Sequence, residues 1–262
     1  MAVRIESEDN SKLKLIRKLS SKKHRDAEGK FVIEGINLVE EAIRRNVPLD
    51  MIIISEDFEA DVSRMIPDEG VYLVSRTVFE KISDAENGSG VLAVARKSIS
   101  TENDLSELDA DTNILVLDRV QDPGNIGTMI RTAVAAGYGA LLVNKGTADI
   151  FSPKVLRATA GMVFDIPIAY ADGAGDTASI LKRLGKKVCV TVPRGGRAYY
   201  DADLSKGVAL VIGNEGNGIS DELIDLADEK LTIPMCGEIE SLNAAISAAI
   251  LMYEAVRGRR EL

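Results

Sequence analysis

The runs Ile114-Leu-Val-Leu117 and Val208-Ala-Leu-Val-Ile212 are continuously apolar. A strand with one face in water alternates apolar and polar residues, whereas a parallel strand covered by helices on both faces does not. These runs sit in a repeating alternation. Strands are expected at 113–118, 140–144, 187–192, 208–212 and 230–233, with helices at 124–136, 152–160, 174–184, 219–227 and 240–258. The C-terminal part is therefore read as an α/β domain with a mostly parallel sheet.

The N-terminal part shows the same alternation on a smaller scale. Residues 11–20 read as a basic amphipathic helix, Lys30–Glu34 as a strand and Ile36–Arg45 as a helix. Met51–Ile54, Val71–Val74 and Val91–Ala95 read as further strands. Ser98 to Asp111 is acidic and polar with almost no apolar periodicity, so it is read as a linker. The expected division is a small α/β domain over 1–97, a linker over 98–112 and a second domain over 113–262.

Composition narrows the class. Hydrophobic residues make up 45% of the chain, ample for a core, but aromatics are only 4% and Trp is absent, so that core is aliphatic. The longest low-polarity run, Ala244 to Met252, is far short of the ~20 residues a membrane span needs. The N-terminus has no apolar segment of signal-peptide type. Cys189 and Cys236 show no metal-ligand spacing and form no disulfide framework. A soluble, cytoplasmic protein is expected. The net charge of −9 weighs against a nucleic-acid partner. Against that, Lys12, Lys14, Arg17, Lys18, Lys22, Lys23 and Arg25 fall in one window with no acid among them, either a solvated face or a phosphate-tracking patch. The single histidine, His24, excludes a His-based triad in the C-terminal domain. No His/Cys cluster suits zinc, and no phosphate loop of the G-x-x-x-x-G-K-[ST] type occurs.

Three segments carry the chemistry. The first, Leu117-Asp-Arg-Val-Gln-Asp-Pro-Gly-Asn-Ile-Gly-Thr-Met-Ile-Arg-Thr-Ala133, reads as strand, turn and helix, with Asn125 where a cap belongs and Arg131 six residues on. Taken alone it is an ordinary βα turn. The second, Val211-Ile-Gly-Asn-Glu-Gly-Asn-Gly-Ile-Ser220, places three glycines directly after a buried strand, where open α/β sheets bind ligands. Its spacing is not the dinucleotide fingerprint. Glu215 within it would repel a phosphate and suits a ligand with a positive centre or with hydroxyl and amine donors. The third is Ile233-Pro-Met-Cys-Gly-Glu-Ile-Glu-Ser-Leu-Asn243, running into an alanine-rich helix. Ser or Asn there is most simply a cap, but a helix start crowded with polar groups also forms a small pocket.

These segments resemble, in order, the three signatures of the SpoU (TrmH-type) RNA ribose methyltransferases of the SPOUT superfamily. The patterns are D-P-x-N-x-G-x-x-x-R-T-A, G-N-E-G-x-G-I-S and IPM-x-G-x-x-x-SLN. The likeness covers roughly 113–258, and Lys154-Val-Leu-Arg-Ala-Thr-Ala-Gly161 also fits it. It implies a trefoil-knotted parallel-sheet domain that binds S-adenosylmethionine and pairs as a homodimer, preceded by a substrate-binding domain. The implied reaction is methyl transfer to a ribose 2′-hydroxyl of RNA without a metal. The implied site is Asn125, Arg131, Glu215, Ser241 and Asn243, with the backbones of Gly213, Ile233 and Leu242 holding the cofactor. Arg131 is the family's proposed base, although a guanidinium is almost always protonated and a clamp on ribose or phosphate is the simpler role. The N-terminal domain points to ribosomal RNA in preference to transfer RNA. The alternatives are a transfer RNA ribose methyltransferase, an RNA-binding module without transfer activity, and an α/β enzyme acting on a small nucleotide.

Overall fold

A computed structural model describes residues 2–58, 70–85, 89–237 and 241–259. The chain divides into two compact units. One comprises Met1–Lys97 with Asp149–Phe164; the other comprises Ser98–Ala148 with Asp165–Leu262.

The first unit opens with β1 (Val3–Arg4), α1 (Ser11–Lys18), α2 (Lys22–Glu28), β2 (Lys30–Glu34) and α3 (Ile36–Arg44). Then come β3 (Leu49–Ser55), β4 (Val71–Val74), α4 (Arg76–Glu80) and β5 (Val91–Arg96). Its sheet has the order β1-β4-β3-β5-β2. β5 runs antiparallel to β2 and β3, while β4 is parallel to β1 and β3. Leu13 and Ile16 of α1, three residues apart on one helix face, and Leu19 just beyond it pack with Ile53, Phe79, Leu92 and Val94.

The basic helix expected over 11–20 ends at Lys18, and α2 follows after the three-residue break Leu19-Ser20-Ser21. α2 has no apolar periodicity to mark it, because Arg25 is its one buried residue among those described. Arg25 lies 5% exposed and its guanidinium meets Asp149 at 2.6 Å. It also donates to the carbonyls of Leu19 and Ser20, both at 2.7 Å. Arg25 is thus a structural ion-pair residue and leaves the basic surface window in which the sequence placed it.

The second unit contains α5 (Glu102–Ser106), β6 (Ile114–Asp118), α6 (Pro123–Ala135) and β7 (Ala140–Asn144). After β7 the chain enters residues of the first unit, which hold α7 (Pro153–Thr159). There Phe151 packs on Phe31 at a 4.8 Å ring separation. The second unit resumes with β8 (Ile168–Ala171), α8 (Ala174–Arg183), β9 (Lys187–Thr191), β10 (Arg197–Ala198), β11 (Val208–Gly213), α9 (Asp221–Asp225), β12 (Glu229–Thr232) and α10 (Ala244–Arg259).

Every pairing in its seven-stranded sheet, of order β10-β12-β9-β11-β6-β7-β8, is parallel. β6, β7 and β11 are buried along their whole length, as their unbroken apolar runs require. β8 and β10 had not been expected, being short and at or near the sheet edge. Within the stretch read as a linker, Thr101 and Asp104 form a reciprocal capping box and Leu105 is buried. A five-residue helix is too short to show periodicity.

Candidate functional site in the second unit

β6 and β11 are neighbours, with Asp118 beside Gly213 at their C-terminal ends. Asp118 is fully buried and accepts hydrogen bonds from the Asn144 side chain and the Ser220 amide, both at 2.7 Å. This carboxylate ties the ends of β6 and β7 to the loop after β11. Sequence reasoning passed it over, although an acid closing an apolar strand was a visible sign.

α6 starts at Pro123 with Asp122 as its cap, its Oδ1 accepting the Asn125 amide at 2.7 Å. Asn125 therefore lies inside the first turn, not at the cap, and its side chain is turned to other partners. Its Nδ2 donates to Glu215 Oε1 at 3.1 Å, and its Oδ1 accepts from Asn243 Nδ2 at 2.9 Å. A carboxylate only accepts, so the amide nitrogen must face Glu215 and the carbonyl must face Asn243. Asn243 Oδ1 in turn accepts from the amides of Ala245 and Ile246, at 2.9 and 3.2 Å, and so caps α10. The helix expected from 240 thus begins at Ala244. Glu238 and Glu240, also read at that start, lie outside the described residues.

Glu215 accepts, besides Asn125, the amides of Gln121 and Asp122 at 3.1 Å each. Its partial burial pushes the carboxyl up, but the donors around it outweigh that and hold it below the ordinary value. Asn214 shapes the loop from within, accepting the amides of Gly216 and Asn217 and donating to the Arg119 carbonyl at 2.9 Å. Gly213 permits the close crossing: a Cβ there would run into the backbone of Gly218 and Ile219.

Around this junction lies a cleft of about 730 Å³. Gly213, Glu215, Ile233, Ser241, Leu242 and Asn243 all line it. Apolar Ile219, Leu231 and Met235 form part of the same wall. The volume and mixed lining suit a nucleoside with an amino-acid tail. Arg194 also lines the cleft and was missed in the sequence, where it is one residue of a short loop.

Arg131 is placed elsewhere. It is exposed on α6, outside the cleft lining, with no hydrogen bond or ion pair to a described residue. Six residues beyond Asn125, it lies about 240° around the helix and ~9 Å along it.

The matching family model over residues 112–253 is the SpoU rRNA Methylase family, and residues 10–93 match an MRM3-like substrate binding domain. A 23S rRNA (guanosine(2553)-2'-O)-methyltransferase of Bacillus subtilis is 37% identical over 257 residues, covering 95% of this chain and 97% of the relative. A crystal structure of an rRNA methyltransferase from Sinorhizobium meliloti, also solved with AdoMet bound, superposes with a TM-score of 0.86 at 34% identity over 98% of both chains. AviRb from Streptomyces viridochromogenes, described as a SpoU methyltransferase in complex with the cofactor AdoMet, gives 0.84 at 26% identity, covering 96% and 99%.

Proposed function

Because the chain belongs to the SpoU rRNA methylase family, we propose that it methylates the 2′-hydroxyl of a ribose in RNA, with S-adenosylmethionine as donor and ribosomal RNA as substrate. The observation that carries this reading is the Asn243–Asn125–Glu215 relay, which joins all three signature segments at the rim of one cleft. S-adenosylmethionine supplies a methyl group already electrophilic on its sulfonium. What remains for the protein is alignment of the ribose and removal of one proton.

In this reading the backbones of Gly213, Ile233 and Leu242 hold the adenosine, and the Ser241 hydroxyl meets a polar group of donor or ribose. Asn125 and Asn243 orient the hydroxyl. Glu215 fixes the start of α6 so that both amides stay aimed. Arg131 clamps a phosphate or ribose of the RNA. The first unit takes up the RNA, its exposed Lys14, Arg17, Lys18, Lys22 and Lys23 meeting phosphates.

The reading extends to a cytoplasmic homodimer. Ile246 and Tyr253, seven residues apart on α10, are 51% and 52% exposed and offer an apolar stripe to a second copy. It extends also to the knot, supported by β11 inserting between β9 and β6 before α10 returns to pack on α6.

The test is incubation of the full chain with ribosomal RNA and donor labelled in the methyl group. A 2′-O-methyl ribose blocks alkaline cleavage of its phosphodiester, so label should survive in an alkali-resistant dinucleotide. Label lost as free mononucleotide, or no label from a protein that binds the donor, overturns the reading.

A further inference from the structure

Among the described residues, the cleft lining carries two charged side chains, Glu215 and Arg194. The first is committed, both its carboxylate oxygens accepting from the start of α6. Arg194 has no hydrogen bond or ion pair with any described residue. Among the described residues it is the one cation of the lining, and it is exposed.

Its loop is nonetheless fixed. Arg194 is the middle residue of the bend Val192–Gly196 that joins β9 to β10. Thr232, the last residue of β12, closes that bend from both ends. Its Oγ1 donates to the Val192 carbonyl at 3.2 Å and accepts the Gly196 amide at 3.0 Å. Gly195 has φ +80°, and a Cβ on Gly196 would lie 2.7 Å from the Lys230 carbonyl oxygen. The two glycines let the bend lie flat on β12, and the Thr232 hydroxyl pins it there.

A guanidinium lining a ligand cleft on a pinned loop is arranged for an oxyanion. S-adenosylmethionine has one anionic group, the carboxylate of its methionine part. We propose that Arg194 binds this carboxylate and that Thr232 is a positioning residue which holds the Arg194 bend. The proposal rests on the cleft being the cofactor's, as argued above.

Calorimetry on the full chain tests it with two ligands, S-adenosylhomocysteine and 5′-methylthioadenosine. Both carry the same thioadenosine, and the second lacks the amino-acid tail. Arg194→Gln should weaken S-adenosylhomocysteine about tenfold, or about 1.4 kcal/mol, and leave methylthioadenosine unchanged. Thr232→Val should weaken the first ligand in the same selective way, while Thr232→Ser, which keeps the hydroxyl, should bind as the unaltered chain does. Equal weakening of both ligands by Arg194→Gln overturns the proposal. So does unchanged binding of both, including the case in which only RNA affinity falls. An unaltered chain that binds neither ligand sinks the cofactor reading itself, and the assignment with it.

Discussion

The side-chain amide of Asn125 donates to Glu215 Oε1 across 3.1 Å, joining segments 90 residues apart. Its carbonyl is held at the same time by Asn243, so Asn125 has no alternative orientation. Asn125→Ala should cut methyl transfer by at least tenfold while leaving the fold intact, because each lost hydrogen bond is worth only about 1 kcal/mol. A double-mutant cycle with Glu215→Gln would show coupling between the two sites; additive losses would mean that the contact does no work. The same contact has a pH signature. The Glu215 carboxyl lies below its ordinary value in the folded chain, where partial burial is outweighed by the surrounding donors. Its stabilisation is therefore fully present above the unfolded value of about 4.3 and fades as pH falls below it. Thermal melts of the unaltered chain and Glu215→Gln should converge as pH is lowered through that range.

Gly213→Ala should be severe. The added methyl meets backbone atoms of Gly218 and Ile219, which cannot rotate away as a side chain would. The loop after β11 must move, so loss of S-adenosylhomocysteine binding is expected together with a lower melting temperature. Normal binding by calorimetry would show that the loop has slack.

The Arg131 side chain makes no hydrogen bond or ion pair with a described residue, so its removal should cost little stability. Arg131→Ala is expected to abolish transfer with donor binding intact. Arg131→Lys keeps the charge and loses the planar fork. As a clamp it should stay poorly active at every pH; a base role would give activity rising steeply toward the lysine pKa of about 10.4. Full activity of Arg131→Ala would remove the residue from the reaction.

The basic window splits into two kinds of residue. Arg25→Met should destabilise the first unit by about 3–5 kcal/mol, because it strands the buried Asp149 carboxylate. Replacing exposed Lys14, Lys18, Lys22 and Lys23 by Ala should leave the melt near that of the unaltered chain and flatten the salt dependence of RNA binding, since fewer counterions are released. An unchanged salt slope would make this face a solvated surface only.

The two cysteines should report separately. Cys236 is exposed and Cys189 is buried in β9. Burial pushes the Cys189 thiol up to about 12, against the opposing pull of Lys187. Thiolate being the reactive form, one equivalent of thiol reagent should react at pH 8 in the folded chain and two in denaturant. Two fast equivalents without denaturant would contradict the burial of β9.

How much was legible follows the range of each signal. β6, β7 and β11 were readable from their own residues because burial on both faces leaves an unbroken apolar run. The three signature segments were readable because each lies within a dozen or so consecutive residues. Gly213, Glu215, Ile233, Ser241, Leu242 and Asn243 then meet around one cleft. What the sequence could not say was how side chains are spent. Glu215 looked like an acceptor for a ligand, yet its oxygens are taken by Gln121, Asp122 and Asn125. Arg25 looked like surface charge, yet its partner lies 124 residues away. Arg194 could not be read as a cleft residue, because its place in the lining depends on where β9, β10 and β12 put its loop. Apolar periodicity is a local property of a chain. Burial of a charge and the direction of a hydrogen bond depend on distant residues, and only the tertiary structure brings those together.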